Sequence, residues 1–292
     1  VTLPKRAIDV SFTLGTGSFG SGAGDTVNIT GLRVAATIHK AGGVSLTSCD
    51  LRVYGMDMSQ MNALSTLGKP LLSGRKNTVT VTAGDDLNGK AVAFSGIIQE
   101  AWVDANNAPE VVFIVQAFTG LIDRLKPLPP SSFSGTADAA TIVSGLANQM
   151  GYAFENNGVK VQLVNPYLWG TGRQQLEKVA RAGNFNFFID DAKNTLAIWP
   201  KTGSRGGAVP SLTPTTGLVG YPQFQQNGLL VQCLFNPSIV FGGNVQIQSS
   251  LTPACGTWTV FDVIHDLESE TPGGKWFTQA QCSVLGHTSI AK

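Results

Sequence analysis

Charge is what this sequence has least of. Only 13% of its residues are Asp, Glu, Lys or Arg, about half the share of roughly 25% usual in soluble domains. Acidic and basic residues nearly cancel, leaving a formal charge of +1. A balance this neutral argues against a dedicated nucleic-acid binder, which carries a basic face. It also gives no reason for attraction to an anionic membrane. Histidine (3) and cysteine (4) are scarce, and neither His-x-x-x-His nor Cys-x-x-Cys spacing occurs, so common zinc sites are unsupported. Cys49, Cys233, Cys255 and Cys282 are expected to stay reduced, because a chain of this length needs no disulfide framework. The longest apolar run, Val111–Val115, falls far below the roughly 18 residues that span a bilayer. The opening VTLPKRAIDV lacks an apolar signal region, so a reducing cytoplasm is the expected place of synthesis.

In place of charge the chain carries Gly (34) together with Ser, Thr, Asn and Gln. Such a surface is polar but uncharged. It suits extensive contact with other protein, because few charges need desolvating at an interface core. At 292 residues the chain exceeds most single cores and points to two or three domains.

The stretch 172–200, GRQQLEKVARAGNFNFFIDDAKNTLAIWP, is the clearest local unit. Leu176, Val179 and Ala180 share one helical face, and Gly183 stands where a helix C-terminus wants a left-handed residue. The period then changes to two. Phe185 and Phe187 point one way and Phe188 the other, Leu196 and Ile198 answer them after a polar turn, and Pro200 ends the strand.

On both sides the pattern is β. Ile8, Val10, Phe12 and Leu14 alternate, then Val27 through Ile38 with a register shift at Thr30–Gly31, then Val44 through Val53 with a parity change that predicts a bulge. A helix is expected over Met56–Leu67, with Met58, Met61, Leu64 and Leu67 inward and Gly68 as its stop. Strands are predicted at Thr78–Ala83, Lys90–Asp104 and Glu110–Thr119. Leu125–Gly135 is rich in Pro and Ser and reads as a boundary. A helix over Ala137–Met150 and a strand at Val159–Val164 then lead into the helix–hairpin. Thr202–Tyr221 is a second Gly/Pro/Thr-rich break. Beyond it Leu229–Phe235, Ile239–Phe241, Val245–Ile247 and a hairpin of Thr257–Leu267 with Lys275–Val284 read as β. The expected fold is mainly β: a β-barrel or sandwich domain (1–122), a linker (123–136), a small α/β insert (137–200), a linker (201–221) and a second β-domain (222–292).

Candidate chemistry is thin. Gly15–Gly20, GTGSFG, matches GxGxxG, and Lys40 could stand for the lysine of a kinase-type phosphate loop. No HRD or DFG motif follows, and no helix N-terminus follows to receive a pyrophosphate. A flexible glycine loop, suited to insertion against a neighbouring subunit, is the reading. His39, His265 and His287 do not converge in sequence, and His265 and Asp266 fall on opposite faces of a predicted strand. Paired carboxylates at Asp85–Asp86, Asp190–Asp191 and Asp266 with Glu268 and Glu270 could serve glycoside hydrolysis, but the first two pairs sit in turns, where Asp caps backbone donors. Trp258 and Trp276 could stack on a sugar or act as buried anchors. Lys69, Arg75 and Lys76 read as solvated loop charge. No catalytic, cofactor or metal residue is assigned.

Four stretches carry a resemblance: Gly31–Gly68, Phe154–Pro166 (FENNGVKVQLVNP), Ile198–Ser211 (IWPKTGSRGGAVPS) and Asn236–Trp258. Over most of its length the chain resembles a baseplate hub protein of contractile-tailed bacteriophages, and the helix–hairpin is similar to a module of type VI secretion spike hubs. The resemblance implies a structural virion protein without enzymatic activity or cofactor. It implies a homotrimer at the distal end of the tail tube, with two tube-like β-domains per chain, so that six barrels adapt the six-fold tube to a three-fold spike. Implied partners are the spike, the tube or distal tube protein and the baseplate wedge proteins, with no membrane in the resting state and DNA only as cargo through the lumen. A tail-associated peptidoglycan hydrolase and a host-glycan-binding tail protein are the alternatives.

Overall fold

A computed structural model describes residues 4–20, 24–43, 45–67 and 76–284. The first region holds β1 (Arg6–Thr13), β2 (Thr26–Ile29), β3 (Val34–Ala41), β4 (Ser48–Tyr54), α1 (Met58–Leu64), β5 (Thr78–Asp85), β6 (Gly89–Asp104), β7 (Val112–Phe118) and α2 (Leu121–Leu125). Alternation places Ile8, Val10 and Phe12 inside, and Val10 and Phe12 face Val81 and Val79 across the β1/β5 ladder. The predicted run from Val27 to Ile38 is two strands, not one, because Gly31 turns the chain at φ 70°. The parity change before Leu51 is a loop and not a bulge. Bulges fall instead in the ladders of β5 with β6 and of β6 with β7.

The expected apolar face of α1 is only half right. Met61 and Leu64 are buried, whereas Met58 and Leu67 are exposed. Steps of three residues drift by about 60° each on a 3.6-residue helix, which turns Met58 away from the face of Leu64, and Leu67 lies beyond the end of the helix, which stops at Leu64 and not at the expected Leu67. The predicted stop, Gly68, lies outside the described residues.

The second region holds β8 (Ser131–Ser132), β9 (Thr136–Asp138), α3 (Ala139–Met150), β10 (Ala153–Asn156), β11 (Gln162–Val164), β12 (Tyr167–Leu168), α4 (Gly172–Gly183), β13 (Phe185–Asp190) and β14 (Thr195–Pro200). Asp138 caps α3 by accepting from the Thr141 amide, and Gly151 ends it at φ 83°. Thr171 and Gln174 form a reciprocal capping box at the start of α4. Both helices pack on a sheet ordered β10-β14-β13, around Ile142, Leu146, Leu176, Val179, Leu196 and Ile198. The left-handed residue after α4 is Asn184 (φ 50°), one position later than predicted. Gly183 remains helical, and a Cβ there would stand 2.7 Å from the Phe185 ring.

The third region holds β15 (Ser211–Leu212), β16 (Gln223–Gln225), β17 (Gly228–Leu234), β18 (Asn244–Ile247), a 3-10 turn (Thr252–Ala254), β19 (Gly256–Ser269) and β20 (Trp276–Ser283). Ile239 and Phe241 are buried but belong to a loop, not to the predicted strand. The Thr202–Tyr221 segment is anchored: Leu212 pairs beside Ile247 and is fully buried.

The fold is mainly β. The first and third regions share one 13-stranded sheet, ordered β16-β17-β20-β19-β3-β4-β7-β6-β5-β1-β2, with β15 and β18 attached through β19. Their seam is the antiparallel ladder of β3 with β19, where His265 faces Ile38 and Leu267 faces Ala36. One core lies on each side of it. The first, around Phe12, Phe94 and Phe113, takes in Leu267 and Trp276 from beyond the seam, so the sheet curls until the start of β1 meets the β19–β20 hairpin. The other core lies under β17, β18, β19 and β20.

Candidate functional site

The residues with chemical potential are dispersed, and most have structural partners. Gly15–Gly20 is the β1–β2 loop. Phe19 tucks against the first core, and the Gly15 amide donates to Asn77 Oδ1 at 3.1 Å. Lys40 is remote in role from this loop: it is buried and pairs with Asp191 at 3.0 Å. His39 lies on the seam 2.6 Å from Asp262, and this hydrogen bond raises its pKa. His265 is enclosed with Thr278 Oγ1 2.9 Å from Nδ1, and burial pushes its pKa down to about 3, so it is neutral at pH 7. Asp266 is on the opposite face, as predicted, and takes Lys275 at 2.8 Å. His287 lies outside the described residues. Among these residues no group of His, Cys, Asp and Glu could hold a metal ion.

Of the carboxylate pairs, Asp85 behaves as the turn cap expected, accepting from the amides of Leu87 and Asn88, and Asp86 accepts from the Lys5 amide. Asp190 and Asp191 depart from expectation. They are not solvated turn residues but buried halves of ion pairs to Arg205 (2.7 Å) and Lys40. Glu268 accepts from the Lys275 amide, and Glu270 pairs with Lys5 at 3.0 Å. The tryptophans are anchors and not open platforms. Trp276 is buried beside Phe235, and half-buried Trp258 donates its indole N–H to the Ala254 carbonyl at 3.0 Å. Lys76 is exposed, and Lys69 and Arg75 lie outside the described residues. All four cysteines are free; three are buried, Cys255 is exposed, and burial lifts the Cys233 and Cys282 thiols to about 12.

What the structure does concentrate is a junction that fixes the α/β unit on the sheet. Phe241 stacks on Phe188 (4.9 Å between centroids) and tilts against Trp199 (6.0 Å). Its ring also lies over Gly42, where a Cβ would come within 1.9 Å, so the β3–β4 loop needs glycine there. Phe241 therefore touches all three regions. Around it Arg205 grips Asp190 and Glu155 (2.8 Å), and Asp191 also accepts from the Ser95 amide. Arg173 donates to the carbonyls of Gly43 and Ser45 and lies over the Phe187 ring. Burial raises the Asp191 pKa against the opposing pull of Lys40. Sequence reasoning missed this junction, because its partners are far apart along the chain; Lys40 and Asp191 are 151 positions apart.

The sheet's main strand order ends at β2 and β16, and its side branch at β15, each with one strand partner among the described residues; the β16 edge carries exposed Val219, Tyr221 and Phe224. On the α/β unit, Val164, Tyr167 and Trp169 are exposed. No described helix is long and apolar enough to cross a membrane.

The fold is shared with proteins of phage tails and secretion spikes. A 43 kDa tail protein of prophage MuSo2 from Shewanella oneidensis superposes with a TM-score of 0.62 at 8% identity, over 94% of this chain and 96% of that one. A tail protein from Neisseria meningitidis gives 0.60 at 10% identity, over 95% and 96%. A type VI secretion component from Escherichia coli, itself described as similar to the T4 bacteriophage tail proteins gp27 and gp5, gives 0.57 at 9% identity, over 88% and 75%. No curated protein matches in sequence. The family model described as baseplate hub gp41 matches residues 7–282, and the chain belongs to this family of structural phage tail proteins, whose place is the baseplate.

Proposed function

We propose that the chain is a non-enzymatic hub that assembles as a homotrimeric ring at the distal end of a contractile tail's tube. On this reading the sheet with its two cores supplies two tube-like β-domains, and 137–200 is the insert between them. Three copies present six such units to the tube or distal tube protein above and a three-fold seat to the spike below. Wedge proteins pack outside, DNA passes through the lumen as cargo, and the ring forms in the host cytoplasm. The observation that supports the ring is the pair of end strands β2 and β16, at opposite ends of the sheet's main strand order and each with one strand partner among the described residues. Two unlike edges suit head-to-tail contact, which closes into a ring when the rotation permits. Few charges would be desolvated there, so the ring is expected to survive high salt.

Light scattering on the purified chain tests this. A trimer is expected at low and high salt, and Phe224→Asp is expected to yield monomer with unchanged circular dichroism. A chain that stays monomeric both alone and with the spike, together with purified tails lacking density for it at the tube's tip, would sink the reading.

A further inference from the structure

The α/β unit has an outward chemistry of its own. Every carboxylate between residues 121 and 205 is engaged within the structure. Asp123 accepts from the Tyr152 hydroxyl, and Asp138 caps α3. Glu155 and Asp190 hold Arg205, Glu177 holds Arg173, and Asp191 holds Lys40. Cations outnumber carboxylates in this stretch. The excess, including Lys126, Lys160, Lys178 and Arg181, has no carboxylate partner among the described residues.

One of these cations, Lys178, sits on an aromatic pair, and Lys126 and Arg181 lie close to it along the chain. In β12, Leu168 points inward and its neighbours Tyr167 and Trp169 point out, 62% and 57% exposed. The backbone beneath them is fixed. Tyr167 and Leu168 pair with Ser132 and Ser131, and the Leu128 and Phe133 amides donate to the Gly170 and Pro166 carbonyls. Lys178 lies 3.3 Å from the Trp169 ring centre and donates to the Trp169 carbonyl at 2.8 Å. Arg181 follows one turn on along α4. Lys126 precedes Pro127, which bridges to Thr171 beside Trp169.

We infer that this face docks an acidic polypeptide segment of a neighbouring protein, with Tyr167 and Trp169 as anchors and Lys178, Arg181 and Lys126 as its counter-charges. Rigid exposed Trp and Tyr are the residues that dominate protein–protein binding energy, and the unbalanced cations set the sign of the partner. A nucleic acid is less favoured, because the chain as a whole is nearly neutral, at +1, whereas a nucleic-acid binder carries a strongly basic face. A membrane is less favoured, because only Val164 joins the aromatics in an otherwise polar surface. The inference stands apart from the ring, since it uses neither sheet edge.

Trp169 is the exposed tryptophan of the described chain, so its fluorescence reports on the site. The full chain should be titrated with poly-L-glutamate, with oligothymidylate and with anionic phosphatidylglycerol vesicles. The expected result is saturable binding of poly-L-glutamate that weakens with salt. Trp169→Ala (followed by anisotropy of labelled poly-L-glutamate) and Lys178→Glu should each weaken it by about tenfold, with unchanged melting and unchanged mass by light scattering. Absence of binding, or binding indifferent to both variants, overturns the inference. So does tighter binding of oligothymidylate or vesicles through Trp169. None of these outcomes bears on the trimer, which the light-scattering mass reads separately.

Discussion

At the residue scale, the two described histidines at the seam respond to acid with opposite signs. The His265 pKa falls from 6.5 to about 3 on folding because burial disfavours the imidazolium. Between those values the unfolded chain binds the extra proton, so stability is lost as pH falls below 6.5, by up to about 1.4 kcal/mol per unit. The His39 pKa is raised by Asp262. Its contribution is fully present below 6.5 and is lost as pH rises through the folded value. It is partly exposed, so solvent screening keeps its share to about 0.5 kcal/mol. The expected outcome, read by urea denaturation from pH 7 to pH 5, is a net acid loss that flattens in His265→Gln and steepens in His39→Gln. The Lys40–Asp191 pair gives a second test. Removing only the carboxylate leaves a buried ammonium without its counter-charge, so Asp191→Ala should cost about 3–5 kcal/mol. Replacing both partners (Lys40→Met with Asp191→Leu) should recover most of that loss, because an apolar pair has no charge to desolvate. Equal losses in the single and double variants would show that the pair does not act as a unit.

Elements were legible where their periodicity was long and their partners near in sequence. The alternation of Ile8, Val10 and Phe12, the hairpin of β13 with β14 and the helical face of Leu176, Val179 and Ala180 all stand in the structure as the pattern requires. The errors have local causes. At the end of α4 both Gly183 and Asn184 can adopt a left-handed conformation; Asn184 does so, at φ 50°, while Gly183 stays helical in a place where Phe185 leaves no room for a Cβ. Asn184→Gly should therefore be nearly neutral, whereas Gly183→Ala should cost about 1–3 kcal/mol by overpacking. Thermal melts of the two variants check the order; a larger loss in Asn184→Gly would show that position 184 depends on its side chain and not on a left-handed backbone that glycine adopts freely. The candidate site was hardly legible. Asp190–Asp191 has the composition of a turn, and nothing nearby in sequence announces that Arg205 and Lys40 will bury both carboxylates. The aromatics of the docking face carry no sequence signal of their own: only the pairing of Tyr167 and Leu168 with β8 turns Leu168 inward and its neighbours out.

For the whole molecule the question is whether three cores behave as one body. The sheet runs unbroken through the ladder of β3 with β19, which couples the first and third regions by backbone hydrogen bonds. The α/β unit has no strand in that sheet. Its attachment rests on the junction of Phe241, Phe188 and Trp199 and on the ionic grips of Arg205, Lys40 and Arg173. Phe241 is the most consequential of these, because its ring meets the β3–β4 loop at Gly42 as well as both aromatics of the hairpin. Phe241→Ala opens a cavity shared by all three regions and should cost about 3–5 kcal/mol. The loss would fall mainly on coupling, since each core keeps its own contacts. The native chain is expected to unfold in urea in one transition, seen alike by circular dichroism and by tryptophan fluorescence. Phe241→Ala is expected to separate those two signals, as the α/β unit and the sheet come apart at different urea concentrations. If the variant instead unfolds in a single step at a lower midpoint, the ionic grips alone suffice to hold the unit in place. Phe241 would then be a packing residue of the third region and not the pin that joins the three.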